Sequence, residues 1–244
     1  MSSSLHLPAR LLRRTFDCHE AKINICLFFA QHARICDMTN TAEDLTIARQ
    51  PKQQRSRQRF GEVLSTAEQL LREQGISQFS IPQIAERLQC SRNAIYKFFP
   101  TPYAVLNELT QRRLQALEAS LISESDRNPA ASWQDMVKRI VATAVKFYNA
   151  DSVASMLILG GSSTDESYRL LELTIHHLGS QIRRMMSIYG RTLPADPPDV
   201  ATLAVEIGSA AFRLSYMTYQ RITPAYEVEA ATAMIAYLET RIKN

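Results

Sequence analysis

Apolar residues recur every three or four positions along most of this chain, as they do on the buried face of an α-helix. In residues 55–74, for example, one such stripe runs from Phe60 through Val63 and Ala67 to Leu71. No run of alternating apolar and polar residues is long enough to predict a β-strand. The pattern therefore predicts an all-α protein.

Residues that favour helix ends divide this pattern into nine predicted helices. Gly75 stands where the C-terminal cap of the first helix is expected. Thr101-Pro102 and Thr223-Pro224 each combine a capping side chain with proline at the first helical position. The nine helices are expected at about 55–74, 80–88, 91–98, 101–124, 132–148, 151–159, 164–189, 200–214 and 223–242.

Residues 1–52 do not share this regular pattern and are predicted to be a poorly ordered N-terminal extension. The stretch Thr39–Pro51 is polar and is typical of a linker. Met38 is a candidate for the true start of the protein, in which case residues 1–37 are a translation artefact. A loosely ordered extension that is part of the protein is the alternative.

The net charge of +4 is distributed unevenly. Residues 49–113 hold eleven Lys and Arg against five Glu, whereas residues 114–244 hold twelve against fourteen Asp and Glu. A basic block beside a neutral-to-acidic body is typical of a DNA-binding head on a regulatory body. An ordinary solvated basic surface is the alternative interpretation of the same charges.

The four cysteines show neither the spacing of metal ligands nor a disulfide framework, which favours a reducing compartment. The most hydrophobic stretch, Ile23–Ala33, contains polar residues and is too short to span a bilayer. We therefore expect a cytoplasmic protein, associated with the nucleoid when bound to DNA, with no membrane partner and no cofactor.

Three short helices followed by a long one are typical of a helix-turn-helix head joined to a helical body. The motif is expected at residues 80–99, with a positioning helix at Ser80–Leu88 and a recognition helix at Ser91–Phe99. A recognition helix must bury one face and turn the other toward the DNA. Here Ala94, Ile95, Phe98 and Phe99 are predicted to pack inward, so that Arg92, Asn93, Tyr96 and Lys97 face outward.

The outward residues carry the chemistry that base edges and phosphates require. Arg92 can donate two hydrogen bonds to guanine, and Asn93 can contact adenine or a phosphate. The hydroxyl of Tyr96 and the ammonium of Lys97 suit phosphate oxygens, as do the N–H groups at helix N-termini. The predicted DNA-binding residues are Arg57, Ser80, Ser91, Arg92, Asn93, Tyr96, Lys97 and Thr101.

Residues 54–110 resemble the N-terminal domain of TetR/AcrR-type transcription regulators. The similar stretches read EQGISQFSI, IPQIAERLQCSRNAIYKFF and PTPYAVLNEL, with Ile84-Ala85, Ser91, Ile95-Tyr96 and Phe99 at the family's most characteristic positions. The chain departs from the family at Gln89, where many members have glycine, and at Pro102-Tyr103, where many have Lys-Glu.

The resemblance implies a nine-helix fold with a helix-turn-helix domain at residues 53–117 and a ligand-binding and dimerisation domain at residues 118–244. It also implies a homodimer that binds double-stranded operator DNA and a small apolar or amphipathic effector. The last two helices are expected to form a four-helix bundle with their symmetry mates. The predicted interface residues are Leu203, Ile207, Ala211, Leu214, Val228, Ala231, Ile235 and Leu238.

An apolar effector pocket is expected between helices of the body. Its predicted lining residues are Phe147, Tyr148, Met156, Tyr168 and Met185, and ordinary core packing is the alternative for each.

Three functions are compatible with the sequence. The leading hypothesis is a ligand-responsive regulator, most often a repressor in the family it resembles, on a palindromic operator. The second is a ligand-independent, architectural DNA-binding protein with the same head. The third is a helical enzyme, which is disfavoured because we find no catalytic constellation and no metal motif. The adjacent His176 and His177 point about 100° apart on a helix, so they do not share a face.

A shortened chain that begins at Met38 is expected to keep the operator affinity and thermal stability of the full chain. Residues 1–37 supply none of the nine predicted helices, so their removal costs no predicted packing. Binding to operator fragments selected with the full chain measures this. A loss of more than about tenfold in affinity, roughly 1.4 kcal/mol, would show that the extension takes part in binding.

Overall fold

The computed structural model describes residues 45–127, 130–161, 164–194 and 197–242. Backbone contacts divide the chain into two units, Met1–Glu43 and Asp44–Asn244, and all described residues lie in the second unit. Most of the predicted N-terminal extension, Met38 included, lies outside the described residues.

The described residues form nine α-helical elements, which confirms the predicted all-α fold. None of these helices has an apolar stretch long enough to cross a bilayer. The helices are α1 Gln54–Gln74, α2 Ile81–Arg87, α3 Arg92–Tyr96, α4 Pro102–Arg127, α5 Trp133–Ala150, α6 Ser152–Ala154 with a π-helical continuation Ser155–Leu159, α7 Asp165–Ile188, α8 Val200–Tyr219 and α9 Pro224–Glu239.

Polar side chains begin several of these helices by accepting backbone N–H groups that have no partner inside the helix. Ser132 accepts a hydrogen bond from the Asp135 amide at the start of α5, at 3.1 Å. Asp199 accepts from the amides of Ala201 and Thr202 at the start of α8. At the end of α1, Gly75 has a φ of +75°, which residues with a side chain rarely adopt.

Helices α1, α2 and α3 form the head around an aromatic cluster. The ring of Phe60 in α1 stacks on Phe99 with ring centres 4.6 Å apart and meets the edge of Phe98 at 6.0 Å. Ile84 of α2 and Ile95 of α3 are fully buried in the same core. These contacts hold the short α3, which has too few residues to be a stable helix alone, in one orientation.

A buried guanidinium joins the head to the body. Arg113 of α4, whose side chain is only 12% exposed, pairs with Glu68 of α1 at 2.8 Å and with Asp151 at 3.2 Å. Asp151 also caps α6 by accepting from the amides of Val153 and Ala154. Burial alone lowers the pKa of Arg113, but hydrogen bonds and attraction from the two carboxylates outweigh it and raise that pKa.

In the body, α8 packs between α7 and α9. A glycine lies at a close contact on each side of α8, Gly179 between α7 and α8 and Gly208 between α8 and α9. A Cβ on Gly179 of α7 would lie 2.7 Å from the backbone nitrogen and Cα of Thr202 in α8. A Cβ on Gly208 of α8 would instead meet the side chain of Met234 in α9, 2.5 Å from its sulfur. Backbone atoms cannot move aside without shifting a helix, whereas a methionine side chain adopts another rotamer readily.

Gly179→Ala is therefore expected to lower the free energy of unfolding by about 1–3 kcal/mol, although alanine is the better helix former. The matched variant Gly208→Ala is expected to change it by less than about 1 kcal/mol, because Met234 can repack. Denaturant unfolding of both variants and the unchanged protein measures the difference. Equal losses in the two variants would contradict this account of the α7–α8 crossing.

Candidate nucleic-acid interface and ligand cavity

The recognition helix presents its polar residues to solvent. Ile95, Phe98 and Phe99 are buried, and Ala94 is half-buried. The helix itself, Arg92–Tyr96, is shorter than the predicted segment, and Lys97 follows it as the capping residue. The exposed residues of this segment are Ser91, Arg92, Asn93, Tyr96 and Lys97.

Ion pairs divide the basic residues of the head into two groups. Arginines on the flanking helices are neutralised by Glu side chains, in the pairs Arg59–Glu62, Arg72–Glu68, Arg87–Glu73 and Arg112–Glu108. In the described part of the chain, Arg92 and Lys97 have no carboxylate within ion-pair distance. The Lys97 ammonium lies 6.0 Å from the ring centre of Phe98, at the limit of a cation–π contact. The recognition helix thus keeps its positive charge available.

The other three predicted DNA-binding residues are partly engaged within the protein. Arg57 is exposed, and its Nε lies 3.4 Å from the carbonyl oxygen of Pro51. The Ser80 hydroxyl donates to the side chain of Gln83. The Thr101 hydroxyl donates to the carbonyl of Leu45 at 2.6 Å and accepts from the amide of Ala104. The hydroxyls of Ser80 and Thr101 are therefore engaged in hydrogen bonds within the protein.

The segment Leu45–Gln50 lies along the head, although sequence analysis placed it in the extension. The Arg49 amide donates to the carbonyl of Phe98 at 2.7 Å, at the end of the recognition segment. The Asn107 side chain donates to the carbonyl of Thr46 at 2.9 Å, and Gln50 donates to Glu108. These contacts were not predicted from the sequence, in which the available signal was the pair of polar residues Asn107 and Glu108 in an otherwise apolar part of α4.

A narrow apolar cavity of about 70 Å³ lies in the body between α4, α5, α7 and α8. Of the predicted pocket residues, Tyr148 and Met185 line it. Residues that the sequence analysis did not select include Gln181, Ser209 and Phe212. Much of the remaining wall is aliphatic, with Leu114, Leu117, Leu121, Ile140, Leu171, Leu178 and Ile182.

The other three predicted pocket residues do not line this cavity. Tyr168 is 61% exposed on the surface of α7. Met156 packs against the core of the head. Phe147 is half-buried and meets the ring of Tyr148 edge-on at 5.6 Å, from outside the cavity wall. Spacing along the chain did not reveal which apolar residues face the cavity.

The two adjacent histidines contact different helices, as their helical spacing predicts. His176 faces α8, with its Nδ1 3.4 Å from the Thr202 hydroxyl. His177 faces α4, with its Nε2 2.5 Å from a carboxylate oxygen of the buried Glu118 and 3.1 Å from the Gln181 amide. Among the described residues, no group of three His, Cys, Asp or Glu side chains could hold a metal ion.

The predicted interface residues of α8 and α9 fall into two groups. Leu203, Leu214 and Val228 are exposed, and Met217, which the sequence analysis did not select, extends their stripe. Ile207, Ala211 and Ile235 are half-buried. Ala231 and Leu238, in contrast, are buried within the chain. Both pack in the core of the body, so Leu238 in particular has no surface left to offer a partner.

Solved structures share this fold. The chain is similar to the fatty acid degradation regulator FadR from Bacillus halodurans, with 15% identity and a TM-score of 0.56 over 78% of this chain and 97% of that one. A TetR-family transcriptional regulator from Streptomyces coelicolor gives 19% identity and a TM-score of 0.54, covering 75% and 99%. A TetR-like transcriptional regulator from Rhodococcus sp. RHA1 gives 13% and 0.54, covering 79% and 100%. No curated protein matches the sequence significantly.

Residues 63–109, from within α1 to within α4, match the family model of bacterial regulatory proteins, tetR family. Residues 63–109 therefore carry the N-terminal domain of this family, and the described residues have the fold that these regulators share. The match contains α2 and α3 entire, which are the two helices of the predicted DNA-binding motif.

In the turn between α2 and α3 of this TetR-type domain, glutamine stands where many members of the family have glycine. Gln89 has a φ of +48°, in the left-handed region that glycine adopts without strain. The turn therefore keeps its shape without the glycine, at a cost in backbone strain of order 1 kcal/mol. The other departure, Pro102-Tyr103, begins α4, where proline has the φ that a first helical turn requires.

Proposed function

We propose that this TetR-family regulator is a ligand-responsive repressor that binds a palindromic operator as a homodimer. The observation that carries the proposal is the recognition helix, whose exposed side carries Arg92, Asn93, Tyr96 and Lys97. The aromatic contacts of Phe60 hold the other side rigidly against α1. A rigid helix with an unneutralised polar face is what reading a major groove requires.

Within this proposal the side chains have separate roles. Arg92, in the first turn of α3, reads guanine through its O6 and N7, and Asn93 contacts adenine or a phosphate. Tyr96 and Lys97, at the other end of α3, contact phosphate oxygens and set the position of the helix. The basic residues at the start of α1 include Arg57. They come a few positions after Arg49, whose amide donates to the carbonyl of Phe98 at the end of the recognition segment. These basic residues add contacts to the DNA backbone.

Arg92→Ala is expected to weaken operator binding by about 1–3 kcal/mol and to relax base preference at one position in each half-site. Lys97→Ala is the matched comparison, because a phosphate contact carries no base information. It is expected to weaken all sequences alike and to lower the slope of log affinity against log salt. Binding of each folded variant to selected and scrambled DNA over a salt series measures both effects. Unchanged operator affinity in both variants would exclude this docking.

The proposed homodimer rests on the apolar stripe of α8 and α9. Leu203, Ile207, Ala211, Leu214 and Met217 follow each other on α8 at intervals of three and four residues and are exposed or half-buried. Such a stripe on a pair of antiparallel helices is self-complementary across a two-fold axis. Dimerisation buries it and places two recognition helices on one DNA duplex.

Leu214→Glu is expected to give a monomer with much weaker operator binding, because a charge would be buried without a partner on both sides of the two-fold axis. Tyr168→Glu is the matched control, since it adds the same charge at an exposed aromatic residue on α7. Sedimentation and operator binding of both variants give the result. If the unchanged protein is a monomer at micromolar concentration, free and on DNA, the proposed dimer is wrong.

The cavity supports an effector. Its wall includes Leu114 of α4, and Leu109, five residues earlier in the same helix, is buried in the core of the head. A molecule that widens the cavity therefore acts on a helix that also supports the DNA-binding head. A ligand-independent DNA-binding protein is the second candidate, and it predicts that no small molecule in the cavity changes operator affinity. An enzyme has no supporting constellation among the described residues.

A further inference from the structure

The apolar cavity has four polar residues in its wall, and two of them are already engaged. The Thr174 hydroxyl donates to the carbonyl of Leu170 at 2.8 Å. The Gln181 amide lies 3.1 Å from the ring nitrogen of His177. The hydroxyls of Tyr148 and Ser209 have no hydrogen-bond partner among the described residues. Two hydroxyls in an otherwise apolar wall are therefore available to a ligand.

Tyr148 is the more constrained of these two residues. It is only 7% exposed, and its ring lies edge-on to Phe147 at 5.6 Å and beside Phe212 at 6.1 Å. Burial raises the pKa of the Tyr148 hydroxyl, with a smaller opposing effect from the charge of Arg213. The hydroxyl therefore stays protonated and is a hydrogen-bond donor. Tyr148 lines the cavity and its hydroxyl has no partner within the described residues, so an acceptor supplied by a ligand gives this donor a hydrogen bond.

The size and charge of the cavity restrict the ligand further. A volume of about 70 Å³ accommodates roughly five to seven atoms of water size, which suits a slender chain and not a multi-ring molecule. None of the residues in its wall carries a charge, and Arg213, whose charge acts on the Tyr148 hydroxyl, is already paired with Glu206 at 3.4 Å. Burying an additional ion there is therefore unfavourable. Ser209 lies one helical turn before Phe212 on the same wall and offers a second hydroxyl to a polar ligand atom.

We infer that the cavity binds a slender, neutral aliphatic molecule with one carbonyl group, and that the carbonyl oxygen accepts a hydrogen bond from the Tyr148 hydroxyl. The inference rests on the proposed effector cavity and names its ligand class, a ketone, aldehyde or ester. An unsubstituted hydrocarbon leaves the Tyr148 donor unsatisfied, and a carboxylate brings an unpaired charge into an apolar wall.

The test compares two probes of nearly equal shape, 2-hexanone and 2-methyl-1-hexene, in which a CH₂ group replaces the carbonyl oxygen. Binding of each to the full chain is measured by NMR titration. Tyr148→Phe is expected to weaken 2-hexanone binding about five- to tenfold, the loss of one hydrogen bond, and to leave 2-methyl-1-hexene binding unchanged or tighter.

Tyr237→Phe is the matched control. Its hydroxyl is buried without a partner, but Tyr237 does not line the cavity, so both affinities are expected to stay the same. Without ligand, Tyr148→Phe is expected to have a Tm equal to or above that of the unchanged protein, because no internal hydrogen bond is lost. A lower Tm would overturn the inference, since it would mean that the hydroxyl has a partner within the protein.

The remaining outcomes separate the inference from the proposed function. If both probes bind and Tyr148→Phe affects them equally, the carbonyl assignment is wrong while the cavity remains a ligand site. If neither probe binds the unchanged protein at millimolar concentration, the inference fails together with the proposed effector cavity. The DNA-binding part of the proposed function is then still decided by the Arg92 and Lys97 variants.

Discussion

The buried guanidinium of Arg113 connects three helices that must keep a fixed arrangement for the head to present its recognition helix. It contacts Glu68 in the middle of α1 and Asp151 at the start of α6, from its own position in α4. A mostly buried charge is tolerated only when its hydrogen bonds are satisfied, so the geometry of all three helices is constrained at once. Asp151 also caps α6, which contributes Val153 and Leu157 to the core of the head.

This arrangement gives a very short recognition helix a rigid base. A five-residue helix has little stability of its own, so its orientation comes from Ile95, Phe98 and Phe99 packed against α1. The Arg49 amide adds a backbone hydrogen bond to the end of the same segment. The head therefore combines a fixed inner face with a solvated outer face, on which Arg92 and Lys97 have no carboxylate within ion-pair distance among the described residues.

Helix α4 belongs to both the head and the cavity. Leu109 lies in the core of the head, Arg113 in the junction, and Leu114 in the cavity wall, within less than two helical turns. The cavity wall is apolar apart from a few hydroxyl and amide groups, two of which bond within the protein. The two hydroxyl residues of the wall that have no internal hydrogen bond, Tyr148 and Ser209, lie on α5 and α8 and not on α4.

The sequence by itself determined the helical class, the number of helices and the outward residues of the recognition helix. These follow from local spacing, because Arg92 and Ile95 must lie on different faces of any helix that contains both. The family resemblance added the expected dimer and ligand-binding body.

Only the tertiary structure decided which apolar residues face the cavity, the core or the surface. Tyr148, Met156 and Tyr168 share an aromatic or flexible apolar character, but they lie in the cavity wall, against the head and in solvent. Leu214 and Leu238 likewise occupy similar stripes, yet one is exposed and the other is fully buried. Helical periodicity predicts that a residue belongs to an apolar face, but the packing partner of that face depends on how distant helices cross, which no local spacing encodes.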